Sequence, residues 1–319
     1  PGLGRWGLTG TPLLSTPERI TELGALNGGT YVCGNAAHWR TMERASTRDV
    51  FLRYHESASS LLYLEERARA AQAYVNAAVQ RDRIDSELSH IRKEERTVLF
   101  RLSKGSAYQA LLQKMFAGGG FAPSPDEVRK EKGKAADALW GRLLDAAAEE
   151  PARQRALRAV ADEIHSRERT KVVVFAPEGA AFDAAAAALR GLGRPVLIGD
   201  PSDPGSTDAI DRFSRPDLRD DAGAARVLLM SFDHSSALNL QHVSHDVVFY
   251  SPLWGDDQNG VHAAANEQQA IGRVMRIGQR RDVTLHRIVA EGPAGQRTVE
   301  AHVVERNTSE WVTRQAVIN

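Results

Sequence analysis

Short apolar runs alternate with helical stretches along the second half of the chain, from about residue 169 onward. Five runs rich in Val, Leu and Ile predict buried strands, at residues 171–175, 195–199, 225–231, 246–251 and 283–290. Continuous apolar strands that alternate with helices are typical of a parallel sheet covered on both faces, so we predict an α/β fold. In such sheets ligands bind at the carboxyl ends of the strands.

The first half of the chain follows a different pattern. Residues 57–95 are charged and almost free of helix breakers, and their apolar residues step by four and three along one narrow helical seam. A turn-rich break at 117–127 precedes a further helical stretch. We therefore predict a mainly helical linker or insertion region over residues 21–165 and a sheet domain over residues 166–319.

The stretch EQQAIGRVMRIGQ joins the fourth and fifth predicted strands. On a helix, Gln269, Arg273 and Arg276 share one face, since they are four and three residues apart. Gly272 lies beside that face and allows close approach of a ligand, and Gly278 is placed as a helix C-cap. The donor fork of arginine matches phosphate oxygens, so the pattern predicts a phosphate-binding face. The alternative is a solvated helix whose arginines meet water or acidic neighbours.

Composition narrows the choice of partner and compartment. The 41 basic and 41 acidic residues balance, so any basic surface must be local. One cysteine, Cys33, excludes a disulfide framework and suits a reducing compartment. No apolar run approaches the roughly 18 residues of a membrane span, so we expect no membrane partner. The histidines His242, His245 and His262 lack further ligands at metal-binding spacing, and no metal site is predicted.

Several segments resemble the Swi/Snf-type branch of the superfamily-two helicase-like ATPases. The stretch QQAIGRVMRIGQ resembles the last motif of that branch, with a glutamine, then Gly-Arg, a second arginine three residues later and the ending Arg-Ile-Gly-Gln. Thr9, Gly10 and Thr11 match the Thr-Gly-Thr-Pro motif that couples the ATP and DNA sites. Residues 96–113 resemble the strand and tyrosine-bearing helix that leave the first lobe, and residues 228–254 resemble the motif that contacts DNA phosphates.

The resemblance implies a RecA-like parallel sheet with helices on both faces. It also implies that Arg273 and Arg276 are arginine fingers, which reach ATP across the cleft between two RecA-like lobes. Gln269 and Gly272 belong to the same motif and are expected beside the nucleotide.

For DNA, the resemblance implies phosphate contacts by Ser235, Ser236 and Asn239. The family has glycines where Ser235, Ser236 and Ala237 stand, but hydroxyl and backbone N–H groups also bind phosphate. The long turn after Trp254 and the helical insertion resemble the RING-bearing Rad-type and histone-linker-associated subgroup. A single cysteine cannot build the zinc site of a RING.

Two parts of an ATP site are missing from the sequence. The only Gly-Lys pair, Gly133-Lys134, is followed by Ala135 and not by the Ser or Thr of a phosphate loop. No acidic strand end precedes the Thr-Gly-Thr-Pro segment. We therefore expect residues 1–20 to be the tail of a first lobe in a fragment, with the seat of Mg²⁺ mostly in that lobe. The chain alone is expected not to hydrolyse ATP.

The implied whole is a DNA-dependent ATP hydrolase of the nucleus. It would move along double-stranded DNA, with chromatin or repair proteins as partners. The alternative is a non-catalytic helicase-like scaffold or regulatory module. An unrelated doubly wound transferase would account for the strands but not for QQAIGRVMRIGQ.

Overall fold

The computed structural model describes residues 90–115, 135–168, 171–193, 195–199, 206, 210–211, 213–214, 225–233, 238–254, 261–292 and 297–318. Ile84–Ser309 form one compact unit, and the other unit, Pro1–Arg83 with Glu310–Asn319, lies almost wholly outside the described residues. The elements follow one another as β1 (Lys93–Arg101), α1 (Ala107–Met115), α2 (Ala135–Ala148), α3 (Pro151–Glu168), β2 (Val172–Ala176), α4 (Ala180–Arg190), β3 (Val196–Gly199), β4 (Val227–Ser231), β5 (Asp246–Phe249), α5 (Val261–Ile271), β6 (Val283–Glu291) and α6 (Val299–Ile318).

The six strands form one sheet in the order β1-β6-β5-β2-β4-β3. All five pairings are parallel. Every residue of the central strands β2, β4 and β5 is buried, which explains why these strands appear as continuous apolar runs in the sequence.

Helices cover both faces of the sheet, and alternate residues of each strand point to opposite faces. Val172 and Val174 pack in one apolar cluster with residues of α3 and α4. Val173 and Phe175 pack in a second cluster with the last residues of α5. The predicted α/β fold, a parallel sheet with helices on both faces, is confirmed by this topology.

The sheet has one strand more than the five apolar runs of the sequence predict. β1 pairs with β6 along its whole length, from Lys93 opposite Val283 to Arg101 opposite Glu291. The resemblance of residues 96–113 implies a strand here, and the structure places that strand in the same sheet as the later ones. β1 is an edge strand with mostly exposed residues, so a search for apolar runs does not find it.

The division of the chain into residues 1–20, 21–165 and 166–319 stays a prediction, because residues 1–89 lie outside the described part. Within that part, β1 comes before residue 165 and belongs to the same sheet as the later strands. No described helix is both long enough and apolar enough to cross a membrane.

Candidate functional site

The helix that precedes the two candidate arginines is shorter than predicted. α5 ends at Ile271, so Arg273 and Arg276 lie beyond it in a series of turns, and the prediction of one helical face is wrong for them. A contact distant in sequence diverts the chain, because the carbonyl of Arg273 accepts a hydrogen bond from the backbone N–H of Leu240, at 2.9 Å. Gly272 also weakens the helix, since glycine is a poor helix former.

The arginines belong to a segment that is hydrogen-bonded to a second one along its length. We call residues 272–281 the arginine turn and residues 238–244 the facing segment. Four hydrogen bonds join the two: Leu240 N–H to the Arg273 carbonyl (2.9 Å), Arg276 Nη1 to Asn239 Oδ1 (2.6 Å), Gln241 Nε2 to the Ile277 carbonyl (3.5 Å) and Gln279 Nε2 to the Ser244 carbonyl (3.0 Å).

The two segments lead into the amino ends of β6 and β5. The candidate residues therefore do not follow the general expectation that ligands bind at the carboxyl ends of strands. The contact between Arg276 and Asn239 also joins two residues that the sequence assigns to different ligands, ATP and DNA.

The arginine pair has no anionic partner in the part of the chain that the structure describes. Arg273 is half-buried, and its buried Nε–H has no hydrogen-bond acceptor. Burial lowers the pKa of Arg273, and the positive charge of Arg276 lowers it further. Arg276 is exposed and donates to a neutral amide oxygen of Asn239. Two neighbouring cations, one with a free buried donor, form a site that an anion with several oxygens would satisfy.

The other predicted site residues lie partly within the described structure. Gln269 is half-buried on α5, two residues before that helix ends. Gly272 follows the helix directly, and a Cβ there would lie 3.3 Å from the Gln268 carbonyl oxygen. Asn239 is exposed in the facing segment. The predicted Ser235 and Ser236, and the coupling residues Thr9, Gly10 and Thr11, lie outside the described residues.

Gln279 is a site residue that sequence reasoning missed. Its side chain is buried, and the carboxamide makes four hydrogen bonds to the backbone, two within the arginine turn through Oε1, one through Nε2 to Val274 and one to Ser244. The sequence shows this glutamine only as the last letter of a motif.

Glu267 is a second residue that was missed, and it anchors α5. Its Oε1 accepts hydrogen bonds from the Leu253 N–H (3.1 Å) and from Asn307 Nδ2 (3.0 Å), and its Oε2 accepts one from Arg287 (2.8 Å). Arg287 also binds Glu95 on β1, at 2.6 Å. The sequence contains a signal for this anchoring role, because Glu267 is a charged residue on the buried apolar stripe of a helix, where a charge needs partners.

A polar cavity of about 680 Å³ lies near the amino ends of the strands β5 and β6. Its lining is Arg96, Ile164, Arg167, His245, Asp246, Arg281, Asp282 and Thr284. Arg96 pairs with Glu94 at 3.1 Å, and Arg167 pairs with Glu163 one helical turn away. These arginines already have carboxylate neighbours, unlike Arg273 and Arg276.

The histidines that the sequence singled out are in different surroundings. Asp246 accepts a hydrogen bond from His286 at 3.0 Å, and it lies 3.4 Å from His245. His242 is exposed beside the arginine turn, and the side chain of His262 is outside the described part. The described residues contain no group of three His, Cys, Asp or Glu placed to hold a metal ion.

Comparisons with known proteins give partial similarities. No family model matches the chain. The chain is 40% identical to the DNA (cytosine-5-)-methyltransferase DMT5 of Cryptococcus neoformans var. grubii over 83 residues, which are 25% of this chain and 3% of that protein. The chain thus matches only a small part of the length of this curated relative. Among solved structures it is similar to the C-terminal part of the Fun30 ATPase domain, at 13% identity and a TM-score of 0.45, covering 72% of this chain and 97% of that one. The fold class of this chain is assigned from the strand order and the parallel pairing of its own sheet.

Proposed function

We propose that this chain is the second RecA-like lobe of a Swi/Snf-type DNA-dependent ATPase, in which Arg273 and Arg276 bind the phosphates of ATP. The observation that supports this proposal most is the arginine pair without an anionic partner among the described residues, with one buried N–H that has no acceptor. The pair lies in the stretch that resembles the last motif of that family.

The chemistry of the pair suits phosphate. A phosphate oxygen would supply the acceptor that the Nε–H of Arg273 lacks. Arg276 would exchange its bond to the neutral Asn239 oxygen for a bond to an anionic oxygen, so that both partners of the bond carry a charge. Two guanidinium groups there would stabilise the charge that develops on the γ-phosphate during hydrolysis. Mg²⁺ would be held mostly by a first lobe.

The same proposal extends to DNA. Asn239, Ser235 and Ser236 would contact the phosphates of double-stranded DNA, so recognition would depend little on sequence. The protein would move along DNA in the nucleus, as part of chromatin remodelling or DNA repair, with chromatin or repair proteins as partners. Thr9, Gly10 and Thr11 would couple the ATP and DNA sites.

The test of the ATP role is turnover in a protein that contains both lobes. We expect Arg273→Lys and Arg276→Lys each to lower the rate of ATP hydrolysis on the order of 10³-fold, with little change in nucleotide affinity, because in the two-lobed protein the first lobe would supply most of the contacts to ATP and Mg²⁺. Lysine keeps the charge but lacks the planar fork of donors. Arg280→Lys, on the exposed part of the same turn, is the matched control and should be neutral. Near-normal turnover in both variants would contradict the proposal.

The test of the DNA role is the salt dependence of binding to a short duplex, followed by fluorescence anisotropy. Affinity should fall steeply between low and moderate salt, and Asn239→Ala should weaken it further. Binding that ignores salt, or that Asn239→Ala with Ser235→Ala and Ser236→Ala leaves unchanged, would count against the assignment.

The second candidate function is a helicase-like scaffold or regulatory module without catalysis. The bond from Arg276 to Asn239 favours it, because one of the two guanidinium groups already has a partner within the chain. A scaffold of this kind would show no change in nucleotide chemistry on loss of either arginine.

A further inference from the structure

The side chain of Gln279 joins the arginine turn to the facing segment from inside the protein. Its Nε2 donates to the carbonyls of Ser244 (3.0 Å) and Val274 (3.1 Å). Its Oε1 accepts from the N–H groups of Arg280 (2.9 Å) and Arg281 (3.1 Å). The residue is only 5% exposed, so water does not replace these bonds.

The four hydrogen bonds need a side chain with two donors and two acceptor sites at this distance from the backbone, and a primary amide on a two-carbon stem provides them. Its NH₂ group has two donors and its oxygen has two acceptor sites, and each of them is used. Glutamate has no donor for the two carbonyls, methionine has neither donor nor acceptor, and asparagine is one methylene shorter.

The position of Gln279 links it directly to the arginine pair. Val274, whose carbonyl it holds, lies between Arg273 and Arg276 in the chain. The residue just before Gln279 is Gly278, whose φ of 96° is in the left-handed region that favours glycine. A Cβ on Gly278 would lie 2.8 Å from the ring of His242 in the facing segment. The backbone directly before the carboxamide therefore lies close to the facing segment.

From this geometry we propose that Gln279 is a positioning residue, which holds the arginine turn against the facing segment so that Arg273 and Arg276 converge on one phosphate group. The proposal rests on the proposed function. It assigns Gln279 no contact with the ligand, because all four of its hydrogen-bonding groups are engaged with the backbone.

The experiment uses the 319-residue chain with inorganic tripolyphosphate as the probe, titrated by calorimetry. The variants are Gln279→Glu, which removes both donors, and Gln279→Met, which removes all four bonds. The control is Gln113→Glu, the same change of charge at an exposed position of α1. An arginine displaced from the phosphate forfeits a charge-assisted bond, so we expect affinity to fall about tenfold in both variants and to be unchanged in the control.

A second readout separates positioning from stability. NMR spectra of the arginine side chains report the contact between Arg276 and Asn239, and backbone amide signals of β2 and β4 report the fold. We expect the variants to lose the contact while the strand signals stay in place. If either variant unfolds, Gln279→Asn, which keeps the amide on a shorter stem, is measured in its place and should give an intermediate loss.

Each outcome supports or overturns the positioning role. Weaker tripolyphosphate binding with a lost Arg276–Asn239 contact supports it. A lower melting temperature with normal affinity and an intact contact overturns it and leaves Gln279 as a structural residue. If the wild-type chain does not bind tripolyphosphate at all, the proposed function fails, and the Arg276–Asn239 contact in the variants still shows whether Gln279 positions the turn.

Discussion

Replacing Gly278 with alanine adds a single atom, the Cβ, to the arginine turn. Gly278 has a φ of 96°, a conformation that residues with a side chain rarely adopt. The added Cβ would also lie 2.8 Å from Cε1 of His242, closer than such atoms approach one another. Gly278→Ala therefore combines a backbone strain with a steric contact.

The two contributions differ in size. A residue with a Cβ in the left-handed region costs about 1–2 kcal/mol relative to glycine. The contact adds little, because His242 is exposed and its ring can rotate away. We expect Gly278→Ala to lower the free energy of unfolding by about 1–2 kcal/mol, which lowers Tm by roughly 2–8 °C for a unit of this size.

The assay is thermal and urea unfolding of a series of glycine variants. Gly105 also has a positive φ, 72°, but its Cβ would meet nothing within 4 Å, so Gly105→Ala measures the strain alone. Gly141 lies inside α2 with open space around it, and Gly141→Ala should stabilise the protein by about 0.5–1 kcal/mol. The double variant Gly278→Ala with His242→Ala should recover only a small part of the loss. A Gly278→Ala protein as stable as the wild type, or full recovery in the double variant, would refute the reasoning.

Two further predictions concern the buried core. Arg153 and Glu300 form a fully buried ion pair. Glu300→Gln leaves the arginine charge unpaired, so it should lower the free energy of unfolding in urea by about 3–5 kcal/mol, whereas the double variant Arg153→Met with Glu300→Leu should recover most of that loss. A Glu300→Gln protein as stable as the wild type would contradict this prediction. Burial raises the pKa of the phenols of Tyr108 and Tyr250 above their usual value near 10. As pH rises, the unfolded chain loses these phenolic protons before the folded protein does, so the free energy of unfolding should fall above about pH 10. Ultraviolet titration should show both tyrosines ionising only on unfolding. Ordinary titration of all tyrosines in the folded protein would refute this prediction.

The sequence predicts the interior of the sheet better than its edge. β2, β4 and β5 are buried on both faces, so their residues must be apolar and their runs are visible without a structure. β1 has a neighbour on one side only and begins with charged residues, so its pattern resembles a solvated segment. Its place in the sheet follows from pairing with β6, which no local pattern contains.

The site shows the same limit. The sequence identifies Arg273 and Arg276 as a candidate pair because their residue types and spacing are local properties. It does not predict where α5 ends, because the carbonyl of Arg273 accepts a hydrogen bond from the N–H of Leu240, which is far away in the chain. The role of Gln279 depends on the same long-range approach of two segments. The contacts that shape the site join segments distant in sequence, and the spacing of residues along one helix does not predict such contacts.

The most direct test of phosphate binding by the arginine pair is the NMR signal of the Arg273 Nε–H group during a titration with tripolyphosphate. This N–H is buried and has no acceptor among the residues that the structure describes, so a bound phosphate oxygen should shift its signal in a saturable way and slow its exchange with water. Arg276→Ala should weaken the response, and the signal of exposed Arg280 should stay nearly unchanged. A titration in which Arg273 does not respond, or in which all exposed arginines shift together without saturation, would contradict the assignment of this pair to phosphate.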